Sequence, residues 1–94
     1  IPTRGREMQK TRSCAVVSPD ELNAHLGTFL VVPLTTGTHR YPFRVPCRFA
    51  GKSGFLVLDQ LRVIDRARLV RRLGRLPPQP LAQALKGLQE MFAP

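Results

Sequence analysis

The chain has 94 residues, with 15 Lys and Arg against 6 Asp and Glu and a formal net charge of +9. This balance predicts one small domain with an anionic partner, nucleic acid first, although a basic surface that only confers solubility is the alternative. The sequence excludes a disulfide-dense scaffold, because it has two cysteines, and a membrane-spanning helix, because it has no apolar run of about 18 residues. We expect no membrane partner. We expect Cys14 and Cys47 to be reduced core residues.

The first half of the chain predicts a loop, a strand, a helical turn and a second strand. Residues 1–11 are polar and predict a loop, and the apolar run 13–17 that follows Arg12 predicts a strand. The sequence Ser18-Pro19-Asp20-Glu21 is typical of a helix start in which Ser18 caps the first turn. Residues 28–34 are apolar on both faces, which indicates a central strand.

The second half begins with a strongly alternating segment over residues 41–49. Arginines interleave with apolar residues there, which predicts a half-buried strand with one basic face; the apolar positions are Phe43, Val45, Cys47 and Phe49. Residues 51–54 predict a tight hairpin connection. A strand over residues 55–58 follows, Asp59-Gln60 interrupts it, and residues 61–64 resume it.

The last third of the sequence contains one ambiguous and one clear segment. Residues 66–76 carry apolar residues at helical spacing, but Gly74 and the Pro77-Pro78 pair favour something shorter. Residues 80–92 present a single apolar stripe and predict a C-terminal helix. Five or six short strands with one terminal helix indicate a mainly β (α+β) fold, a small barrel.

Metal chemistry finds little support in the sequence. His25 and His39 stand alone, and the six carboxylates are scattered, whereas a two-metal nuclease needs several that converge. We therefore expect no metal site and no cofactor. RNA supplies its own nucleophile, the 2′-hydroxyl, so its cleavage needs only a proton acceptor, a proton donor and cations that stabilise the phosphorane charge.

Several short motifs together resemble one protein family, the MazF/PemK-type toxins of bacterial type II toxin–antitoxin pairs. They cover nearly the whole chain in the family's order: Pro2-Thr3-x-Gly5-x-Glu7, Thr11-Arg12-x-Cys14-Ala-Val-Val-Ser18-Pro19, Pro33-Leu34-Thr35, Tyr41-Pro42-Phe43 and Leu58-Asp59-Gln60-Leu61-Arg62-Val-Ile64-Asp65. The resemblance implies a single toxin domain over residues 1–94, without the family's first strand, which would precede Ile1. It also implies an SH3-like partly open β-barrel with short helices and a C-terminal helix, in which residues 66–76 form a turn of helix and then a strand.

The activity that the resemblance implies is cleavage of single-stranded messenger RNA at a short sequence, without a metal ion, in the cytoplasm. The products would be a 2′,3′-cyclic phosphate and a 5′-hydroxyl. The protein would be a homodimer, and an antitoxin with an acidic tail would block the RNA groove. Operator DNA would be bound only through the complex with that antitoxin.

The resemblance also assigns three catalytic residues, Arg12, Thr35 and Glu7. Arg12 would stabilise charge on the reacting phosphate, since a guanidinium keeps its proton. Thr35 would hydrogen-bond a phosphate oxygen or orient the 2′-hydroxyl, although capping a turn is its simpler role. Glu7 would act as the general base or orient Arg12 by an ion pair.

A further set of residues would bind the substrate. It consists of Thr36, His39, Tyr41, Asp59, Gln60 and Arg62. Residues 39–41 would stack on an unpaired base or form a solvated loop. Gln60 would read a base edge, whereas Asp59 has an alternative structural role. Arg62 begins a run of six arginines that would line the RNA groove or face the antitoxin.

The sequence departs from the family at three positions, and two other functions remain open. Arg6 stands where a histidine or serine often precedes the loop glutamate, Ser13 replaces a proline, and Val57 replaces an arginine found in some members. A gyrase poison of the related CcdB type shares the barrel but has no need of Arg12 with Thr35. A non-catalytic DNA-binding partner of an antitoxin is the other alternative.

Overall fold

A computed structural model describes residues 12–36 and 42–94. Within them lie five strands, two α-helices and two short 3-10 helices, at Leu58–Gln60 and Arg66–Arg68. The strands are β1 (Cys14–Val16), β2 (Thr28–Thr36), β3 (Arg44–Phe49), β4 (Lys52–Val57) and β5 (Arg62–Asp65), and the α-helices are α1 (Asp20–His25) and α2 (Pro78–Met91). None of the helices in the described part is long and apolar enough to cross a membrane.

Strand β2 is the centre of a five-stranded antiparallel sheet. It pairs with β1 along one edge, while β5 and β4 pair with its first and last residues, and β3 pairs in turn with β4. Val31 of β2 faces Val16 of β1 and Arg62 of β5 at once, so β1 and β5 lie on opposite sides of it. The expected central strand and mainly β fold are confirmed, and the barrel is not closed.

Two apolar clusters hold the sheet together. The main core lies under α2 and contains the fully buried Val32, Leu56, Leu58 and Ala84, with Leu88 of the helix packed against it. A second cluster on the other side of β2 joins Val31 and Ile64 with Cys14, Phe29 and Leu69. Alternate residues of β2 enter the two clusters, because successive side chains of a strand point to opposite faces.

The β3–β4 hairpin turns at Ala50-Gly51, not across the whole of residues 51–54. Ala50 and Gly51 both have positive φ, 52° and 78°, and Phe49 pairs with Lys52. Two central residues with positive φ are the signature of a tight type I′ turn, whose twist matches that of the strands. Gly54, expected in the connection, therefore lies inside β4.

Three local expectations were wrong. Ser18 does not cap α1, since Pro19 occupies the N-cap position and no side chain caps it. The Ser18 hydroxyl instead donates to Asn23 Oδ1 and accepts the Leu30 amide at 3.0 Å. Phe43 is 44% exposed because its φ of 61° breaks the strand alternation just before β3.

The third error concerns residues 66–76. The expected turn of helix is present as the 3-10 helix, but the strand after it is not, because residues 69–77 pair with no strand in the described part of the chain. Gly74 has a φ of 136°, which also interrupts a helix, and Pro77 is the N-cap residue of α2. Leu69 and Leu76 still anchor the segment, one to each apolar cluster.

Candidate nucleic-acid site

The register of the first two strands, continued by two residues, sets Arg12 opposite Thr35. Cys14 faces Pro33 in the β1–β2 register, and the Leu34 amide donates to the Ser13 carbonyl oxygen at 3.0 Å. The next position along this register sets Arg12 opposite Thr35. Residues opposite each other in an antiparallel pair have Cβ atoms about 5 Å apart, on one face of the sheet. Arg12 is exposed and Thr35 is half-buried, so this pair combines a cation with a hydroxyl.

The same row of residues continues across the sheet. Thr35 faces Phe55 of β4, which in turn faces Pro46 of β3. Val45 and Cys47, on either side of Pro46, pack into the main core. Side chains alternate along a strand, so Pro46 belongs to the opposite surface, which we call the outer face. The outer face thus carries a row formed by Arg12, Thr35, Phe55 and Pro46.

Gly54 lets β4 approach this row closely. A Cβ atom built on Gly54 would lie 1.8 Å from the carbonyl oxygen of Thr35 and 2.8 Å from its carbonyl carbon. No other residue type fits without moving one of the two backbones. Sequence reasoning placed Gly54 in a turn and missed this role, which only the pairing of Thr36 with Gly54 reveals.

Two arginines flank the row on β3. Arg44 and Arg48 alternate with the core residues and share the outer face with Pro46, as the predicted basic face requires. Beside Arg48 lies a depression of about 280 Å³, lined by Pro46, Cys47, Arg48, Ser53, Gly54 and Phe55. Cations, a hydroxyl and an apolar floor are the groups that bind the phosphates and bases of a single strand.

Asp59 forms an ion pair with Arg44. Its Oδ1 lies 3.9 Å from Arg44 Nε, and the side chains of Arg44 and Asp59 are 24% and 52% exposed. The pair joins the 3-10 helix after β4 to the start of β3, and the Leu58 amide donates to the Phe43 carbonyl oxygen close by. Asp59 therefore places a negative charge beside Arg44, at the edge of the outer face.

The remaining expected binding residues are spread out. Gln60 is exposed at the end of the 3-10 helix, and Arg62 faces Val31, about 13 Å along β2 from Thr35. Thr36 is exposed, but strand alternation turns it away from the side of Thr35. Glu7, His39 and Tyr41 lie outside the described residues.

One arginine of the basic run has a structural role. The Arg66 amide donates to the Gly27 carbonyl oxygen at 2.9 Å, and its guanidinium donates to the Asn23 carbonyl oxygen at 3.1 Å. The same guanidinium lies 5.1 Å from the centre of the Phe29 ring, which is a cation–π geometry. Arg66 thus ties α1 to the end of β5.

The two cysteines are free thiols, as expected. Burial raises the pKa of both, and the charge of Arg62 acts against this rise at Cys14. Neither thiol is an activated nucleophile, since activation requires a lowered pKa. Within residues 12–36 and 42–94, no three His, Cys, Asp or Glu side chains converge on a common point.

Comparison with known proteins identifies the family. The model of the PemK-like, MazF-like toxins of type II toxin–antitoxin systems matches residues 1–92. The chain is 35% identical over 99 residues to endoribonuclease MazF9 of Mycobacterium tuberculosis, covering 94% of this chain and 83% of that protein.

Solved structures agree with this assignment. A MazE–MazF crystal structure from Deinococcus radiodurans is 30% identical with a TM-score of 0.77, over 87% of this chain and 81% of that one. The crystal structure of MazF from the same organism is 30% identical to this chain with a TM-score of 0.78. The match covers 97% of this chain and 84% of that one. The family model, the sequence relative and the solved structures all indicate the same family. The chain belongs to the PemK-like, MazF-like toxins of type II toxin–antitoxin systems.

Proposed function

We propose that this toxin is an endoribonuclease that cleaves single-stranded RNA at a short sequence by attack of the adjacent 2′-hydroxyl. The observation that carries the proposal is the position of Arg12 opposite Thr35, in the continued β1–β2 register, on a face that also carries Arg44 and Arg48. The sequence relative from M. tuberculosis carries the name endoribonuclease, which supports the same reaction here. The residues needed for this chemistry include no metal ligand.

The chemistry divides among few groups. A base removes the 2′-hydroxyl proton, the oxygen attacks phosphorus, the bond to the 5′-oxygen breaks, and that oxygen takes up a proton. The products are a 2′,3′-cyclic phosphate and a 5′-hydroxyl. Arg12 holds a permanent charge against the phosphorane oxygens, and Thr35 donates a hydrogen bond to one of them or positions the 2′-hydroxyl.

Glu7 is our candidate for the base, or for the carboxylate that orients Arg12. The set that the resemblance assigns to substrate binding would recognise the bases; it consists of Thr36, His39, Tyr41, Asp59, Gln60 and Arg62. Asp59 would contribute through its ion pair with Arg44, which limits the charge that this arginine offers to RNA. Arg62 lies far enough along β2 to bind a neighbouring nucleotide instead of the scissile phosphate.

The proposed partners follow from the family and the charge. A toxin of a type II system has a cognate antitoxin, and the excess of nine positive charges suits an acidic antitoxin segment. We propose that this segment competes with RNA for the outer face. Homodimerisation, action in the cytoplasm, and contact with operator DNA only through the antitoxin complex complete the proposal.

The test is an RNA cleavage assay in excess EDTA. Purified protein is mixed with a long single-stranded RNA, and the 5′ ends of the fragments are mapped, with free 5′-hydroxyls expected. Arg12→Ala should lower the cleavage rate by about 10²- to 10³-fold, whereas Lys52→Ala, which removes a cation at the far end of the β3–β4 hairpin, should leave it unchanged. RNA that stays intact at every protein ratio, with loss of gyrase supercoiling instead, would replace the proposal by a gyrase poison.

A further inference from the structure

We infer that Arg48, with Arg44, forms a second RNA subsite on the outer face, which binds backbone phosphates about two nucleotides away from the scissile one. This inference rests on the proposed function. It differs from that function because none of its groups takes part in bond cleavage. Its elements are the two cations on β3, the depression beside Arg48 and the ion pair of Arg44 with Asp59.

The spacing of the rows places this subsite beside the catalytic pair. Arg44 and Arg48 lie one row to either side of Pro46, about 13 Å apart along β3. Pro46 shares its row with Phe55, Thr35 and Arg12. The strand order is β1-β2-β4-β3, so three intervals of about 4.8 Å separate β3 from β1 by roughly 14 Å. A strand of RNA whose scissile phosphate lies at Arg12 therefore reaches β3 with a more distant nucleotide.

The depression has the composition of a base-binding site. Pro46 and Phe55 give it an apolar lining, and Ser53, which faces Arg48 across the hairpin, adds a hydroxyl. Its volume of about 280 Å³ is sufficient for one nucleobase. Proteins bind single strands through cations that follow the backbone and side chains against which bases stack. Here Pro46 supplies the accessible apolar surface, because Phe55 is 8% exposed.

Asp59 makes the two cations unequal. Arg48 is exposed, while Arg44 is largely covered and lies 3.9 Å from the carboxylate of Asp59. That carboxylate repels a phosphate and holds the guanidinium. The subsite therefore binds RNA mainly through Arg48, and Asp59 lowers the affinity of the Arg44 end.

The experiment measures RNA binding against salt. The probe is a long 2′-O-methyl RNA oligonucleotide, which has no free 2′-hydroxyl and so cannot be cut, and its affinity is followed by fluorescence anisotropy. Loss of one phosphate contact reduces the slope of log K against log salt by about 0.7. We expect this reduction for Arg48→Ala, with affinity several-fold weaker. Lys52→Ala is the matched control, because Lys52 pairs with Phe49 on the same hairpin but does not share the outer face.

A second pair of variants tests the Arg44 end. Asp59→Asn should tighten binding about two- to threefold and steepen the salt slope, since it removes a repulsive charge. In an Arg44→Ala background the same change should have a much smaller effect. Circular dichroism confirms that each variant is folded, because Arg44 is mostly covered.

The possible outcomes separate the two proposals. If the wild-type protein cuts RNA, but Arg48→Ala and Lys52→Ala give the same slope of log K against log salt, the subsite is overturned and the proposed function stands. Binding to duplex DNA that falls as much as binding to single strands in Arg48→Ala also overturns it, in favour of a general anion surface. A wild-type protein that neither cuts nor binds RNA overturns the proposed function itself.

Discussion

Gly54 is the residue that allows β4 to lie against the carbonyl group of Thr35. An added Cβ atom would lie 1.8 Å from that oxygen, which is shorter than any contact between two non-bonded atoms. The obstacle is backbone, which cannot rotate away as a long side chain can. The absence of a side chain on one strand thus fixes the position of a proposed catalytic residue on its neighbour.

Replacing Gly54 with alanine should therefore impair both stability and activity. The strands must separate at the Thr36–Gly54 pair, and we expect the free energy of unfolding to fall by about 2 kcal/mol or more. RNA cleavage should fall further than stability explains, because Thr35 moves. Urea denaturation and cleavage rates of the folded fraction measure the two effects separately.

Gly27 supplies the control for this variant. Nothing lies within 4 Å of a Cβ atom built there, and its φ is not in the left-handed region. Gly27→Ala should leave the free energy of unfolding within about 0.5 kcal/mol of the wild type. A Gly54→Ala protein as stable and active as Gly27→Ala would contradict the close approach.

Much of this fold is readable from local patterns, whereas pairing between distant strands is not. The alternation of residues 43–49 correctly predicted that Val45 and Cys47 enter the core and that Arg44 and Arg48 face away. It failed at Phe43, because a positive φ in a non-glycine residue has no sequence signal. Likewise, the Ser18 hydroxyl fits a cap by sequence but is taken by Asn23 and Leu30.

The candidate site shows the same division. Arg12 and Thr35 were chosen from a family resemblance, and no spacing in the sequence indicates that they lie opposite each other. Their meeting depends on the β1–β2 register, which a shift of one residue would destroy. The Arg44–Asp59 pair and the approach of Gly54 to Thr35 depend equally on tertiary structure.

Substitutions at Arg12 and Thr35 should show how much of the cleavage rate depends on the charge of Arg12 and how much on the shape of its guanidinium group and on the Thr35 hydroxyl. Arg12→Ala should lower the cleavage rate about 10²- to 10³-fold, the usual effect of removing a group that stabilises transition-state charge. Arg12→Lys should recover only part of this loss, because an ammonium lacks the planar fork that matches phosphate.

Thr35→Val, which removes the hydroxyl at nearly constant shape, should also lower the rate with little change in RNA affinity. Single-turnover rates and anisotropy titrations measure the two quantities. Wild-type rates in both Arg12→Ala and Thr35→Val would show that the chemistry lies elsewhere. Both proteins should fold normally, since Arg12 is exposed and Thr35 is half-buried.

The Ser18 hydroxyl should contribute more to the free energy of unfolding than the side chain of a helix N-cap does. Ser18 and Asn23 are both buried, and Ser18 accepts the Leu30 amide at 3.0 Å while its carbonyl oxygen accepts Asn23 Nδ2 at 3.1 Å. Ser18→Ala leaves the part-buried Leu30 amide and the buried side-chain oxygen of Asn23 short of partners, at a cost of about 1–3 kcal/mol. Urea denaturation measures this loss in the free energy of unfolding. Ser53 is exposed, so Ser53→Ala is the control and should change that free energy by close to zero. Equal stability of the two variants would show that water replaces the hydroxyl.

Both thiols should be slow to react, and the buried Cys47 should react more slowly than the partly exposed Cys14. Burial raises the pKa of each above the ordinary thiol value, so less thiolate is present near pH 8 than in an unfolded chain. Cys47 is 5% exposed and Cys14 is partly exposed, so a thiol reagent such as DTNB should reach Cys14 first. In urea both rates should rise and become similar.

The same raised pKa values fix how these thiols contribute to stability as pH changes. The folded state favours the protonated thiol, so its contribution is complete below the ordinary thiol pKa and is lost as pH rises through the higher folded value. Denaturation of the wild type and of Cys47→Ala across alkaline pH measures this, and the difference between them should shrink as pH rises. Fast labelling of Cys47 in the native protein at neutral pH would contradict its burial.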